Sequence, residues 1–289
     1  MEVIQSGKYD LFPDYEGMFT SSKNNNNIES LVAFQWIAAG GYSFANAIQA
    51  YAGPSTLLKP GFNTGYSSVI PSIDLLKAYE PGDKRRGWSV MEQGFTKADW
   101  TNTNFPNGFV YDTTGDLNDA THITTGTRSN SLKYIVGPGS NGESMSPQGG
   151  SDICSYVLRY ADVLLIYAEA ILGANASTSD ADALKYFNRV HHDRAGLPAA
   201  TVLTKDLILH ERRIEFAFEG DFWFDIQRQG YEKAKAIINA QERGTYNFNG
   251  SAINHVAANF NNPGQLYLPV PQSETVQDPR LTEAAVPYY

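Results

Sequence analysis

The stretch YVLRYADVLLIYAEAILG, residues 156–173, has the clearest helical pattern in the chain. Its apolar side chains recur at alternating spacings of four and three residues, which places them on one face of a helix. Those side chains are Val157, Ala161, Leu164, Ala168 and Ile171. Gly173 can adopt the left-handed backbone that commonly ends a helix. The pattern therefore predicts one amphipathic helix from Tyr156 to Gly173.

Three further helices are predicted downstream of this one, and a shorter helix is predicted upstream. The stretches are SDADALKYFNRVHHDRAGLP (179–198), TKDLILHERRIEFAFEGD (204–221), YEKAKAIINAQERG (231–244) and PSIDLLKAYEPGDKRR (71–86). Ser72 and Thr204 mark helix starts, because their hydroxyls can accept hydrogen bonds from amides of the first turn. Helices joined by short loops pack as antiparallel hairpins. We therefore predict a mainly α fold built from helical hairpins.

The remainder of the chain is less regular. The stretch ESLVAFQW (29–36) is mostly apolar and predicts a short buried strand. Long irregular segments, such as residues 38–68 and 94–150, commonly carry function. We predict a single domain over 1–289, with a loop-rich binding portion (1–150), a helical scaffold (151–243) and an extended C-terminal segment (244–289). The tail of that segment, from residue 266, is predicted to begin with a short strand.

Composition excludes several classes of function. A net charge of -9 and a pI of about 5.0 do not provide the positive field that nucleic acids and anionic membranes require. The single cysteine, Cys154, cannot form an internal disulfide and lies among apolar residues, which favours a small buried side chain. No apolar run is long enough for a transmembrane helix. The first residues, EVIQSGKY (2–9), read as the end of a helix, so we expect further sequence upstream.

The stretch ERRIEFAFEGDFWFDIQRQG, residues 211–230, raises the question of catalysis. Glu211, Glu215 and Glu219 recur every four residues, and a pair of carboxyl groups could hydrolyse a glycosidic bond. An arginine partner lowers the pKa of a carboxyl group, which does not suit a general acid. We therefore favour a buried ion-pair network and keep a hydrolase using Glu211 or Glu215 as the alternative. The candidate cations are Arg159, Arg212, Arg213 and Arg228.

Other signals of chemistry are weak. His191 and His192 are adjacent, and neighbouring side chains on a helix point about 100° apart, which does not favour one shared metal ion. We expect one of them at the surface and the other at a helix interface. The sequence has no GxSxG, GxxxxGK[ST] or GxGxxG motif in a context that would activate a nucleophile or bind phosphate. We therefore predict no catalytic residue, no metal and no cofactor.

Aromatic residues in polar loops are the feature that points most clearly to binding. Aromatics make up 12% of the chain and include 17 tyrosines, many of them outside the predicted helices. A flat ring can pack against the apolar face of a sugar, while neighbouring amides bond its hydroxyls. The predicted binding residues are Trp36, Tyr42, Phe44, Tyr51, Tyr66 and Trp100. Trp223, within the charged stretch, is predicted to belong to the core.

Four stretches, taken in order, resemble the SusD/RagB family of Bacteroidetes surface lipoproteins. They are LRYADVLLIYAEA (158–170), ALKYFNRVHHDRAGLP (183–198), ERRIEFAFEGDFWFDIQRQG (211–230) and LYLPVPQSETVQDPRLTEAAVPYY (266–289), with a weaker fifth match in SIDLLKAYEPGDKRR (72–86). The closing stretch departs from the family pattern at Asp278, where an asparagine is usual. Family members are also about twice as long, so the resemblance covers the C-terminal part of the family's length.

The resemblance implies a scaffold of tetratricopeptide-like hairpins and a binding function without catalysis. It implies an oligosaccharide ligand, a SusC-like TonB-dependent transporter as partner, and a location on the extracellular face of the outer membrane through a lipid anchor in the missing N-terminal part. No ligand residue carries over by motif. A module that binds peptides or proteins remains open beside the glycan-binding function.

Overall fold

The computed structural model describes residues 1–41, 43–58, 65–114, 126–246, 252–267 and 270–283. The chain divides into two compact units. The first comprises Met1–Phe222 and Glu242–Val256, and the second comprises Trp223–Gln241 and Ala257–Tyr289. The prediction of one domain over 1–289 stays a prediction.

Short helices are the main regular structure of the described residues, and the predicted mainly α class is confirmed. The α-helices are α1 (Glu2–Gln5), α2 (Tyr15–Thr20), α3 (Ile48–Ala52), α4 (Ser55–Leu58), α5 (Ile73–Ala78), α6 (Arg85–Ser89), α7 (Tyr160–Leu172), α8 (Ala181–Asn188), α9 (Lys205–Glu215), α10 (Phe222–Gln227), α11 (Tyr231–Asn239) and α12 (Gln272–Gln277). Within the described ranges, none of these helices combines the length and the apolar character needed to cross a bilayer.

The strands are short and pair two by two, all antiparallel. They are β1 (Ser30–Phe34), β2 (Val90–Met91), β3 (Thr96–Lys97), β4 (Phe109–Val110), β5 (Asn130–Ser131), β6 (Ser155–Arg159), β7 (Ser177–Thr178), β8 (Leu203–Thr204), β9 (Thr245–Tyr246) and β10 (Ala252–Asn254). The longest pair joins β1 to β6, with Phe34 opposite Ser155.

The helix predicted from Tyr156 to Gly173 begins later than its periodicity indicates. Residues up to Arg159 form strand β6, because their backbone pairs with β1 across more than a hundred residues of sequence. Helix α7 starts at Tyr160 and ends before Gly173, whose φ of 55° confirms the predicted stop. A local repeat therefore located the helix but could not detect a distant strand partner.

The predicted helix N-caps are confirmed at two positions, where a hydroxyl oxygen accepts a hydrogen bond from a backbone amide of the first turn. Ser72 accepts a hydrogen bond from Leu75 N at 3.2 Å, and Thr204 accepts one from Leu207 N at 3.1 Å. Helix α8 continues as a π-helical segment, Arg189–Arg194. Helix α9 stops at Glu215, short of the predicted end at residue 221, and Phe218 has a left-handed φ of 68°.

Separate clusters of buried apolar side chains hold the rest of the first unit. Helices α7, α8 and α9 bury one apolar cluster that includes Leu164, Phe187 and Ile208. A second cluster surrounds Trp100, and a third surrounds Phe19. The irregular segments are thus held by cores of their own, and loops that lie over such cores can present side chains in fixed positions.

The second unit has a smaller core. Helix α11 packs against Phe260, whose ring centroid lies 5.9 Å from that of Tyr231, and Asn239 exchanges two hydrogen bonds with the Phe260 backbone. The short strand predicted at the start of the tail falls largely on residues 268 and 269, which lie outside the described residues. The described part of the tail forms a 3-10 turn (Pro263–Leu266), α12 and a second 3-10 turn (Pro279–Thr282). Trp223 is half-buried, so its assignment to the core is wrong.

Candidate functional site

The carboxylates of the charged stretch lie inside the protein. Glu211 and Glu215 are 1% and 0% exposed, so neither can reach a substrate from solvent. Glu215 accepts hydrogen bonds from Arg159 at 2.7 Å, from Arg194 at 2.6 Å and from Arg85 at 3.0 Å. Glu211 accepts from Arg85 and from the His191 ring. The predicted ion-pair network is confirmed.

The cations of this network are mostly different from the predicted ones. Arg159 takes part as expected, but Arg85, Lys133 and Arg194 come from distant segments. The other predicted cations pair elsewhere, Arg212 with Asp162, Arg213 with Asp74 and Arg228 with Asp225. Glu219 lies beyond the end of α9 and joins through Lys133 and Arg159.

The electrostatics of the network oppose acid catalysis. Burial alone would raise the pKa of Glu215, but the guanidinium groups of Arg194, Arg159 and Arg85 outweigh it and hold that pKa below the ordinary value. Burial acts in the same way on Glu211, where Arg85 and His191 hold the pKa down. A general acid needs the opposite shift, since it must carry a proton near neutral pH. The carboxylates stay ionised and orient their partners.

One of the two adjacent histidines is buried and the other is at the surface, as predicted. His191 is 6% exposed and faces Glu211 across 2.8 Å, whereas His192 is exposed. Cys154 is fully buried, and burial raises the pKa of its thiol, which disfavours a thiolate nucleophile. Among the described residues, no cluster of His, Cys, Asp and Glu side chains has the arrangement of a metal site.

Trp100 is a core residue and is not part of the candidate binding site. It is 2% exposed, and its ring lies against Phe95 at 6.2 Å and Phe109 at 6.1 Å between centroids. A Cβ added at Gly137 would lie 2.6 Å from its indole nitrogen, so the backbone closes over the ring. A sugar could stack on Trp100 only if the ring left the core, and the prediction for this residue was wrong.

Trp36 and Phe44 lie at the two ends of one loop that follows β1. The Trp36 indole nitrogen donates to Ser155 Oγ at 3.0 Å, which fixes a half-buried ring. Phe44 is 62% exposed, and its carbonyl oxygen accepts from Ile37 N at 2.8 Å. A Cβ on Gly40 would lie 2.7 Å from Phe44 Cβ, so the glycine lets the loop backbone approach the side chain. The loop thus holds both rings on a defined turn.

Tyr51 and Tyr66 form an aromatic pair at the surface. Their ring centroids are 5.7 Å apart at an angle of 38°, and both side chains are substantially exposed. The pair is held by backbone bonds, since Tyr66 N donates to Ala50 O at 2.9 Å and Ser68 N donates to Tyr51 O at 2.7 Å. Tyr42 lies outside the described residues. The structure therefore brings the two tyrosines together and places Trp36 and Phe44 on one loop.

Phe34 and Ile37 are exposed residues of this region that sequence reasoning missed. Strand β1 was predicted to be buried, but only its odd-numbered side chains, Leu31 and Ala33, face apolar clusters. Phe34 is 64% exposed and Ile37 is 62% exposed. Alternation along a strand puts every second side chain on the opposite face, and that period of two is the signal that could have identified Phe34.

A separate pocket of about 340 Å³ opens elsewhere in the first unit. Apolar side chains and cations line it, among them Phe12, Trp88, Lys84 and Arg189. Arg194 at its wall is already engaged by Glu29 and Glu215. None of the five described candidates (Trp36, Phe44, Tyr51, Tyr66 and Trp100) lines this pocket. The exposed aromatic surface, which comprises Trp36, Phe44, Tyr51 and Tyr66, is therefore separate from the pocket.

Comparison with known proteins identifies what this chain is similar to. The sequence profile of the SusD family matches residues 40–289. A SusD-like protein of Bacteroides ovatus is 32% identical over 99% of this chain and 55% of its own length. A crystal structure determined with xylogluco-oligosaccharide is 30% identical, has a TM-score of 0.80, and is matched over 100% of this chain and 60% of that one.

A more distant structure supports the fold alone. The SusD-like carbohydrate binding protein of Bacteroides fragilis NCTC 9343 is 22% identical with a TM-score of 0.73, matched over 97% of this chain and 59% of that one. The chain thus spans between half and two thirds of the length of each of these three relatives.

Proposed function

Because the chain belongs to the SusD family, we propose that it binds oligosaccharide at the bacterial cell surface without catalysis. The observation that carries this proposal is the structure with xylogluco-oligosaccharide, which is 30% identical and superimposes on the whole of this chain. Similarity at that level, over that coverage, supports a shared ligand class as well as a shared fold.

The exposed aromatic surface is the proposed place of binding. Trp36, Phe44, Tyr51 and Tyr66 are partly or largely exposed side chains of the first unit. Tyr42 belongs to the proposal by its place in the sequence between Trp36 and Phe44. A sugar ring has apolar C–H faces, and covering them with an aromatic ring removes apolar area from water. Fixed loops lose little conformational entropy when a ligand binds, which favours affinity.

Absence of catalysis is supported by the position of the charged stretch. A glycosidase needs one carboxyl group that holds a proton beside the sugar. Both carboxyl groups are buried, and neighbouring cations lower their pKa values, Arg85 and His191 for Glu211 and Arg194, Arg159 and Arg85 for Glu215, so they suit a structural role.

The proposal includes a partner and a location. We expect the protein to act with a SusC-like TonB-dependent transporter on the extracellular face of the outer membrane, held there by a lipid anchor outside this chain. These expectations rest on family membership. They are testable by co-purification of the full-length protein with the transporter from outer-membrane fractions.

Calorimetric titration with xylogluco-oligosaccharide tests the binding proposal. Trp36→Ala should weaken binding by about tenfold, which corresponds to about 1.4 kcal/mol, because the ring face is lost. The matched control is Tyr267→Ala, an aromatic that is 67% exposed in the other unit. Equal losses in both variants would remove Trp36 from the site. Release of reducing ends by the wild type, abolished in Glu215→Gln under conditions in which that variant remains folded, would favour the hydrolase.

A further inference from the structure

The segment that carries the exposed aromatics is almost free of charge. Between residues 31 and 72 the sequence contains a single charged side chain, Lys59. At the 18% charged content of the whole chain, a stretch of this length would hold about eight. The segment includes the five candidate binding residues that remain after Trp100 is removed. Surfaces that face water are normally rich in charged side chains, so this stretch is unusual for an exposed surface.

Burial does not explain why this segment has so few charged side chains, because several of its apolar side chains are exposed. Phe34, Ile37 and Phe44 are each more than 60% exposed, and Tyr51 and Tyr66 are 40% and 47% exposed. Phe34 pairs with Ser155 across the strands, and the hydroxyl of Ser155 accepts the hydrogen bond from the Trp36 indole. Phe34 and Trp36 are therefore anchored on the same residue of β6.

Neutral polar groups accompany these apolar side chains. The Gln35 amide donates to Asn26 Oδ1 at 3.2 Å, and both residues are exposed. The nearby carboxylate of Asp152 accepts from the backbone nitrogen of Ala38, so it serves to hold the loop. Amides and hydroxyls bond sugar hydroxyls, whereas carboxylate or sulfate groups are bound best by arginine and lysine.

We infer that this surface selects neutral oligosaccharides and discriminates against uronate-containing and sulfated ones. The inference rests on the proposed function and specifies its ligand class. The described residues of the segment, 31–41, 43–58 and 65–72, contain no lysine or arginine that could bind an acidic glycan, and Lys59 lies outside them. The protein's net charge of -9 would also repel a polyanion. Phe34 joins Trp36 and Phe44 as part of the apolar platform.

Titration of the whole chain with two panels of oligosaccharides tests the inference. The neutral panel consists of xylogluco-, cello-, manno- and malto-oligosaccharides, and the acidic panel consists of oligogalacturonate and heparin-derived oligosaccharides. We expect at least one neutral glycan to bind about tenfold more tightly than any acidic one. Its affinity should change less than about twofold between about 50 and about 500 mM NaCl, because no ion pair is formed.

The possible results separate the inference from the proposed function. If an acidic glycan binds most tightly and its affinity falls as the salt concentration rises, the inference of selectivity for neutral glycans is wrong. The proposal that the protein binds glycans would still stand. Failure of both panels to bind would remove the proposed function together with this inference.

A variant tests the platform itself. Phe34→Ala should lower the affinity for the neutral glycan that binds most tightly by about fivefold, because apolar contact area is lost. The control is Val276→Ala, at an apolar side chain of the other unit that is 73% exposed. An unchanged glycan affinity in Phe34→Ala would exclude Phe34, and if sedimentation also changed, the exposed face of β1 would be a surface for self-association.

Discussion

Glu215→Gln is the substitution that most directly tests the buried network. Glutamine keeps the shape of the side chain but removes the charge, and its amide nitrogen is a donor that would face guanidinium donors. In the wild type, the carboxylate accepts from Arg85, Arg159 and Arg194 and is fully buried. The substitution therefore leaves buried cations less well compensated without opening a cavity.

The structure sets the size of the expected effect. Removing one partner of a buried ion pair typically costs about 3–5 kcal/mol. Each arginine keeps a second carboxylate, because Arg85 also bonds Asp83, and Arg159 and Arg194 both bond Glu29. We therefore expect the lower end of the range, a loss of about 3 kcal/mol in the free energy of unfolding.

Urea unfolding followed by fluorescence measures this loss. The midpoint should fall while the slope stays constant, since the surface exposed on unfolding is unchanged. The control is Glu92→Gln, because the Arg86–Glu92 pair is 41% and 35% exposed and such a pair contributes at most about 1 kcal/mol. A loss in Glu215→Gln no larger than in this control would refute the reasoning.

The same substitution has a defined pH dependence. The folded-state pKa of Glu215 is lowered, since arginine charges outweigh the effect of burial. Its stabilising contribution is therefore present above the unfolded-state pKa of about 4.3 and is lost as the pH falls towards the folded-state value. The difference between wild type and Glu215→Gln should shrink below about pH 4.

Two further predictions concern packing and protonation. Gly137→Ala should lower the free energy of unfolding by about 1–3 kcal/mol, because the added Cβ would lie 2.6 Å from the Trp100 indole nitrogen. His191→Gln should destabilise more at about pH 6 than at about pH 8.5. Burial lowers the pKa of His191, but Glu211 outweighs it and raises the pKa, so the contribution is complete below the unfolded-state pKa of about 6.5 and is lost as the pH rises through the folded-state value.

Matched controls exist for both predictions. Gly142 also has a positive φ, and a Cβ there would meet no atom within 4 Å, so Gly142→Ala carries the backbone strain without the clash. Equal losses at Gly137 and Gly142 would show that the contact with the indole ring contributes nothing. His192→Gln controls for His191, since His192 is exposed. A stability difference for His191→Gln that is constant with pH would contradict its charged pairing with Glu211.

Features set by neighbours in the chain could be read from the sequence. The caps at Ser72 and Thr204 and the stop at Gly173 occur where predicted. Each depends on a hydrogen bond or a backbone angle within about four residues, so the local sequence contains all the information. The ordered stretches that resemble the SusD/RagB family belong to the same class of local signal.

The local sequence did not predict most of the partners of the buried charged side chains. The sequence predicted that Glu211 and Glu215 are paired and named four candidate cations, of which only Arg159 bonds Glu215. Arg85, the arginine that bonds both carboxylates, was not among those candidates, and it lies 126 and 130 residues away from them. Which cation reaches a carboxylate depends on how helices and loops pack, and no local periodicity encodes that.

The sequence by itself determined the mainly α class, several helix ends and the nearly uncharged character of residues 31–72. Tertiary structure alone decided that Trp100 is buried while Phe34 and Phe44 are exposed. The physical reason is the range of the interactions. Capping and helical periodicity act over a few residues, whereas burial of a ring depends on apolar groups that folding brings together from distant parts of the chain.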